Sequence, residues 1–275
     1  MTITPLQVYG SEHSYFTGKF ESYLRYKEIP YELVPIEPTA MKEMQTGTGV
    51  VQVPGVRLAD DRWMTDSTPM IRWLETQFPD PPVVPADPAT RFLSLLVEDF
   101  ADEWLWRPAM HYRWSYPDDR YVLGNRLGKE LLGSRPIPQA ARRTIFQQRQ
   151  LGIFIRGDGI DAGTRRHADQ AYLRVLDLLQ DIFDRRPYLL GERPTIADIG
   201  LMGPFWRHFV HDPTPARLLQ DRAPAVFEWA ARVWNARAGK VGDRPLLEEL
   251  PADWGPLLDE IGETHLEALA ANAAA

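Results

Sequence analysis

Residues 187–199, PYLLGERPTIADI, carry the strongest local folding signal in the chain. Thr195 precedes an apolar run, and Asp198 lies three residues after Thr195. This is the spacing of a capping box at the start of a helix. In such a box, the threonine hydroxyl and the acidic side chain bond to free N–H groups of the first turn. The sequence therefore predicts a helix that starts after Thr195, with Thr195 and Asp198 as its structural cap.

The composition is that of a globular protein without a nucleic-acid partner. The chain has 275 residues, of which 44% are hydrophobic and 25% are charged. This length leaves room for two small domains or one large one, with enough apolar residues for a buried core. The formal net charge of −7 supplies no basic surface to neutralise phosphates, so we expect no binding to nucleic acid.

Cysteine is absent from the sequence, which excludes disulfides, thiolate metal sites and a cysteine nucleophile. His208 and His211 lie three residues apart without a third ligand in the pattern, so we predict no metal site. The first residues, MTITP, lack the basic start and apolar run of a signal peptide. No stretch has the ~20 apolar residues that cross a membrane. We therefore expect a cytoplasmic protein that has no membrane partner.

The first part of the chain has the element order of a thioredoxin-like domain. Apolar patterns predict a strand, a helix and a strand within residues 6–36, and a hairpin and a helix within residues 55–78. Gly47 and Gly49 predict a mobile loop over residues 45–51. The βαβ order followed by ββα places a thioredoxin-like domain in residues 1–79.

The rest of the chain is predicted to be helical. Prolines crowd residues 80–90 and oppose regular structure, so we expect a linker there. Apolar residues then recur at three- and four-residue spacing, which predicts an all-helical domain over residues 91–275. Trp254, Leu257 and Ile261 form a stripe by which the extended tail is expected to pack back on the body.

These features together resemble the glutathione S-transferase superfamily. The resemblance rests on the proline linker, the spacing from Val53-Pro54 to Asp66-Ser67, the capping box, and PAVFEW at residues 224–229. It implies a fold of class α/β + all-α, an N-terminal thioredoxin-like βαβ-ββα domain followed by an all-helical glutathione transferase C-terminal domain. It also implies glutathione as co-substrate. Residues 115–165 and the tail are longer than the common pattern, which indicates an atypical subgroup of the serine-type tau-, phi-, zeta- and theta-like classes.

The resemblance assigns Gln52, Val53 and Pro54 to glutathione binding. In the superfamily, the matching Val-Pro holds a cis peptide bond, and the valine backbone pairs with the cysteinyl part of glutathione like an added strand. The alternative is simply a proline at the first residue of a strand.

Asp66 and Ser67 are assigned to the same site, where a strand ends and a helix begins. Free N–H groups and the positive end of the helix dipole suit the γ-glutamyl carboxylate. Ser67 would add a hydrogen bond, and Asp66 would accept from the ligand's ammonium group. The alternative is a plain helix cap, which both residue types favour.

Ser14 aligns with the catalytic serine of the serine-type classes, whose hydroxyl donates a hydrogen bond to the glutathione sulfur. Tyr15 follows it where the family usually has Pro, Cys or Ser. The alternatives for the activating hydroxyl are therefore Tyr15, Thr17, Ser11 and Tyr9.

Trp106, His111 and Trp114 are predicted to line a pocket for a flat, hydrophobic electrophile, because large rings with polar tips suit such a ligand. The alternative for each ring is a place in the core.

Two functions follow from the resemblance. The first is an enzyme that activates the glutathione thiol for attack on a small-molecule electrophile, with isomerisation, ether cleavage and peroxide reduction as variants. The second is a non-catalytic binding or interaction protein of the same fold, which the unusual His13-Ser14-Tyr15 loop and Gln52 favour. The resemblance also implies a homodimer and a role in detoxification.

Overall fold

The computed structural model describes residues 3–274, and its N-terminal part is built on a four-stranded mixed sheet. The strands lie in the order β2-β1-β3-β4. β1 runs parallel to β2, with Leu6 opposite Tyr31, and antiparallel to β3, with Val8 opposite Val56. β3 and β4 form the predicted hairpin. The strands span Leu6–Gly10 (β1), Tyr31–Pro35 (β2), Gly55–Arg57 (β3) and Trp63–Thr65 (β4).

Helices make up nearly all of the remaining regular structure. Three belong to the sheet half, residues 3–78, and the others form the helical half, residues 88–274. The bounds are Tyr15–Tyr26 (α1), Pro38–Thr48 (α2), Ser67–Gln77 (α3), Pro88–Asp99 (α4), Trp106–Ser115 (α5), Pro117–Leu132 (α6), Gln139–Gln150 (α7), Arg165–Phe183 (α8), Ile196–Pro204 (α9), Pro213–Arg222 (α10), Pro224–Asn235 (α11), Ala238–Val241 (α12), Gly255–Ile261 (α13) and Glu267–Ala274 (α14). The predicted fold class, a thioredoxin-like part followed by an all-helical part, is confirmed.

Several helices are joined by π-helical turns rather than by loops. Phe100–Trp104 continues α4 into α5, and the Leu105 N–H donates to the Phe100 carbonyl, five residues back, at 3.2 Å. Similar turns follow α7 at Leu151–Arg156 and α9 at Phe205–Phe209. At Pro204, helix α9 therefore passes into a π turn.

The predicted mobile loop over residues 45–51 is largely helix. α2 continues through Gly47 to Thr48 and ends at Gly49, whose φ of 83° suits glycine. Gly47 lies against the indole of Trp63, where a Cβ atom would come within 2.4 Å of the ring. Gly47 is thus a packing residue within a helix.

Helix α9 joins the cores of the two halves. Ile196 and Ile199 are buried among the strands and helices of the sheet half. Leu201 and Met202, one turn on, belong to the core of the helical half. Helix α9 therefore packs against the apolar core of the sheet half through some residues and against that of the helical half through others.

Asp198 fixes the start of α9. Thr195 precedes the helix, and one Asp198 carboxylate oxygen accepts from the Thr195 N–H at 2.9 Å and its hydroxyl at 3.1 Å. The other oxygen accepts from the Leu189 N–H and the Trp229 indole N–H, each at 3.0 Å. Thr195 and Asp198 are both fully buried. One carboxylate therefore holds the motif, the helix start and α11 together.

The segment of residues 115–165 forms a helical hairpin, α6 and α7, that packs on the rest of the molecule. Trp114, Leu127 and Phe146 are buried in one apolar cluster, and Val53 of the sheet half lies against it. The tail packs back as expected, because Trp254 and Ile261 are fully buried in the core of the helical half. Across residues 3–274, no helix combines the length and apolar content needed to cross a bilayer.

A buried ion network links α1 to the helical half. The Lys19 ammonium, which is fully buried, donates to Glu98 at 2.6 Å, to Asp102 at 2.5 Å and to the Thr68 hydroxyl at 2.9 Å. Burial lowers the pKa of Lys19, but the two carboxylates outweigh burial and the net shift is upward. Burial raises the pKa of Asp102 to about 7, against the opposing effect of Lys19. The network thus has two carboxyl groups for one cation.

We expect Thr195→Ala to lower the free energy of unfolding by about 0.5–2 kcal/mol, because a buried cap is lost. Urea unfolding followed by circular dichroism measures the change. Thr144→Ala is the matched control, since Thr144 is exposed on α7 and donates only to the Ala140 carbonyl, and should shift the value by no more than about 0.5 kcal/mol. Equal effects of the two substitutions would contradict a special role for the box.

We expect Asp102→Asn to change how stability depends on pH. A carboxyl group whose pKa is higher in the folded chain holds a proton between about pH 4 and pH 7 that the unfolded chain has released, so stability falls as pH rises through that range. Asparagine does not titrate, so the variant does not lose stability in this way. The difference in free energy of unfolding, variant minus wild type, should therefore increase by up to about 1.4 kcal/mol per pH unit. Urea unfolding at several pH values tests this, with exposed Asp221→Asn as control. Parallel wild-type and Asp102→Asn curves would refute the expectation.

Candidate active site

A cleft of about 540 Å³ lies between the two halves. We call it the main cleft. Its walls come from α1, α3, α4, the π turn after α4, and the segment that precedes β3. Four of the five residues predicted to bind glutathione line it: Gln52, Val53, Asp66 and Ser67. The fifth, Pro54, is buried and does not line the cleft.

The start of α3 opens into the main cleft. Asp66 precedes the helix, and its carboxylate accepts from the Thr68 N–H at 3.3 Å. Its φ of 71° lies in a region that L-residues rarely adopt, at a cost of about 1–3 kcal/mol. Ser67 is the first helical residue, and only 3% of its surface is exposed. Free N–H groups of the first turn and the positive end of the helix dipole therefore face an open cavity that suits an anion.

Val53-Pro54 lies at the end of the sheet, and the Val53-Pro54 peptide bond is cis. The ladder between β1 and β3 ends at the pair Tyr9 and Gly55. The Val53 backbone is therefore two residues beyond the last strand pair, where an extended ligand can add to the sheet. The Val53 side chain is held by the cluster that α6 and α7 build.

Four of the five candidate hydroxyls near the start of α1 are committed or enclosed. Tyr9 donates to Glu43 at 3.0 Å, Ser11 donates to Glu130 at 2.8 Å, and Tyr15 donates to the Ala101 carbonyl. Burial raises the pKa of Tyr9 and, far more, that of Tyr15, which disfavours either phenol as a tyrosinate. Thr17 is fully buried, and its hydroxyl has no hydrogen-bond partner among the described residues.

Ser14 differs from the other four. It is the N-cap of α1, half-buried, and its oxygen accepts from the Thr17 N–H at 3.3 Å. A hydroxyl that accepts in this way still has its own proton to donate. Ser14 is not itself a lining residue of the main cleft, although Phe16, two residues further along, is one. A ligand must therefore reach past Phe16 to the start of α1 to contact it.

A smaller cavity of about 270 Å³ adjoins the main cleft, and we call it the side cavity. Phe16 and Asp102 line both. The rings of Phe16 and Trp106 stack with their centroids 5.7 Å apart and an interplanar angle of 15°. The Trp106 indole N–H donates to Asp158 at 3.1 Å. Trp106, one of the three residues predicted for the electrophile pocket, therefore lines the side cavity.

His111 and Trp114, which were predicted for the same pocket, line neither the main cleft nor the side cavity. His111 is 2% exposed and its ring nitrogens lie 2.9 Å from the Ser115 hydroxyl and 3.1 Å from Asp169. Trp114 is 1% exposed in the cluster with α6 and α7. Both residues lie on faces of α5 that pack inward, whereas only the start of α5 reaches the cavity.

The cleft also contains residues that the sequence analysis did not single out. Arg72 is the only cation among the described residues that line the main cleft, and Glu98, Asp102 and Glu103 make the facing wall acidic. Glu98 and Asp102 are four residues apart in a segment predicted to be helical, which places them on one helix face, and that spacing was the available signal. Among residues 3–274, no group of three or more His, Cys, Asp or Glu side chains is placed to hold a metal ion.

Comparison with known proteins places these features in a family. Residues 8–82 match the model of the glutathione S-transferase N-terminal domain, and residues 158–232 match that of the C-terminal domain. The structure is similar to the β-etherase LigF from Sphingobium sp. strain SYK-6, with a TM-score of 0.57 and 18% identity over 84% of this chain and 95% of that one. It is also similar to a glutathione S-transferase from Rhodospirillum rubrum F11, with a TM-score of 0.53 and 21% identity over 90% and 94% of the two chains.

One curated protein is similar in sequence. The lysine N-acyltransferase MbtK of Mycolicibacterium paratuberculosis (strain ATCC BAA-968 / K-10) is 31% identical over 134 residues, which are 46% of this chain. The match spans half the length of that relative. Both halves of the present chain match glutathione S-transferase models, and the non-catalytic alternative is not favoured. The chain belongs to the glutathione S-transferase superfamily.

Proposed function

We propose that this enzyme binds glutathione in the main cleft and activates its thiol for attack on a hydrophobic electrophile in the side cavity. The observation that carries the proposal is the convergence of Val53, Asp66 and Ser67 in one cavity, next to the helix whose N-cap is Ser14. Each of these residues offers a group that matches one part of glutathione.

The γ-glutamyl end of glutathione is assigned to the start of α3. Its carboxylate accepts from the first N–H groups of the helix and from the Ser67 hydroxyl, with Arg72 one turn along to add positive charge. Its ammonium group lies against the acidic wall and donates to Asp66. The cysteinyl part pairs with the Val53 backbone, and Gln52, which is exposed at the rim, faces the glycyl end.

The thiol is assigned to Ser14. Lowering a thiol pKa by about two units requires ~2.7 kcal/mol of preference for the thiolate. One hydrogen bond to a charged group supplies about 1.5–3 kcal/mol, and a helix N-terminus adds ~0.3–1 kcal/mol. The Ser14 hydroxyl and the start of α1 therefore suffice without a metal or a protein thiol.

The electrophile is assigned to the side cavity, where the stacked rings of Phe16 and Trp106 offer a flat apolar surface. Addition and substitution reactions of detoxification fit this arrangement, and isomerisation, ether cleavage and peroxide reduction are variants of the same thiolate chemistry. Location in the cytoplasm stays a prediction from sequence.

We also propose that the enzyme is a homodimer in which the sheet half of one chain meets the helical half of the other. Phe92 on α4 is 64% exposed, and Val50 and Val51, before the cis peptide, are 44% and 52% exposed. These apolar side chains lie in the two halves that would meet, and covering them is favourable.

Ser14→Ala tests the thiol assignment. We expect the pKa of bound glutathione to rise by about one to two units and turnover of a chloronitrobenzene to fall about 10- to 100-fold, because one hydrogen bond to the sulfur is lost. Retention on immobilised glutathione should persist. Ser134→Ala, at an exposed position outside the cleft, is the control and should change neither.

Ser67→Ala should instead raise the dissociation constant for glutathione about 10-fold or more, because a hydrogen bond to a carboxylate is lost. Calorimetric titration measures it. If the wild-type protein shows no retention on glutathione and no turnover, the proposed function fails.

Phe92→Glu should convert a particle of twice 31.5 kDa into a monomer, because a buried charge opposes association. Sedimentation velocity gives the mass. Ile145→Glu is the control, since Ile145 is 52% exposed on α7. A wild-type monomer, or a dimer that survives Phe92→Glu, would exclude the proposed interface.

A further inference from the structure

The loop between β1 and α1 is held by the helical half of the chain. This loop contains Ser11 and His13 and ends at Ser14. Arg113 of α5, 3% exposed, donates from Nη1 to the His13 carbonyl at 2.6 Å. A side chain a hundred residues away in sequence thus fixes the peptide that leads directly into Ser14.

Arg113 is itself held in one orientation. Its Nε donates to Asp212 Oδ2 at 2.7 Å and its Nη2 donates to Asp212 Oδ1 at 3.0 Å, and Asp212 is fully buried. Nη2 also donates to the Arg207 carbonyl. A planar guanidinium bound at both edges cannot turn without leaving a buried charge unpaired, which is costly. The His13 carbonyl therefore accepts from a side chain whose own orientation is fixed by buried contacts.

Glu130 of α6 is a second anchor on the same loop. It accepts from the Ser11 hydroxyl at 2.8 Å, and the Ser11 oxygen in turn accepts from the His13 N–H at 3.1 Å. The Ser11 carbonyl then accepts from the Ser14 N–H at 3.0 Å. Glu130 belongs to the segment of residues 115–165, so that segment reaches the start of α1 directly.

Both anchors converge on the four residues that set where the Ser14 hydroxyl points. A hydrogen bond weakens steeply when its angle or length departs from the favoured range. We propose that Arg113, oriented by Asp212, and Glu130 are positioning residues that aim the Ser14 hydroxyl and the start of α1 at the glutathione sulfur. This inference rests on the proposed function of Ser14.

The test is the pKa of enzyme-bound glutathione, followed by thiolate absorbance, in Arg113→Lys and Glu130→Ala. Lysine keeps the charge but cannot bind Asp212 and His13 in the same planar geometry. We expect the pKa to rise by about one unit, and turnover near neutral pH to fall about 10-fold, in each variant. The dissociation constant for glutathione should stay within about threefold of the wild type, because the binding groups are untouched. Glu130→Gln keeps an acceptor for Ser11 and should restore most of the loss.

Arg186→Lys is the matched control. Arg186 forms a comparable bidentate pair with Asp253, at 2.7 and 2.8 Å, and both side chains are less than 10% exposed. It holds the tail rather than the loop, so the pKa of bound glutathione should not move. An equal shift in this control would reduce Arg113 to a general stabilising role and overturn the inference.

The Ser14→Ala background separates the inference from the proposed function. Once Ser14 is alanine, Arg113→Lys should raise the pKa of bound glutathione much less than it does in the wild type, because only the contribution of the start of α1 is left to lose. If Ser14→Ala raises the pKa and neither Arg113→Lys nor Glu130→Ala does, only the inference is wrong. If Ser14→Ala has no effect, the proposed function of Ser14 is wrong as well. Should Arg113→Lys fail to fold, the result with Glu130→Ala, on half-buried Glu130, decides.

Discussion

The buried carboxylate of Asp198 is the interaction on which the arrangement of the two halves depends. It accepts four hydrogen bonds, from Leu189, from the backbone and hydroxyl of Thr195, and from Trp229. An isolated carboxylate in such a place would be prohibitively costly, and these donors offset its burial, although its pKa is still raised by burial. The result is a fixed start for α9, whose two faces lie in the two cores.

A second buried charge, on Lys19, defines the cleft itself. Its contacts with Thr68, Glu98 and Asp102 tie α1, α3 and the π turn after α4 to one point. Lys19 therefore holds Glu98 and Asp102, two residues of the acidic wall of the cleft, in place. The rigidity is useful because the proposed chemistry depends on geometry: Asp66 is kept in a costly backbone conformation, and Ser14 must meet a sulfur atom at hydrogen-bond distance.

Local signals in the sequence predicted the fold and four of the residues that line the main cleft. The capping box is readable because Thr195 and Asp198 are three residues apart, and Val53, Asp66 and Ser67 are marked by strand and helix ends. The Lys19 network is not readable, since its carboxylate partners are 79 and 83 residues away. The same holds for Arg113, which stands between two residues that the analysis did select, His111 and Trp114. The chemistry of the rings drew attention to α5, but which face turns inward is decided by packing with α6 and α7.

The π-helical turn at Phe100–Trp104 determines how α5 is rotated about its axis relative to α4. An α-helix advances about 100° per residue, so one extra residue in a turn rotates everything beyond it by about that angle. Beyond it lie Trp106, which faces the side cavity, and Arg113, which faces the start of α1. The number of residues in the turn therefore sets the direction in which the side chains of α5 point. Deletion of one residue from the turn would rotate Trp106 away from the side cavity and Arg113 away from the start of α1. Neither side chain would be changed, and the helix would be only about 1.5 Å shorter.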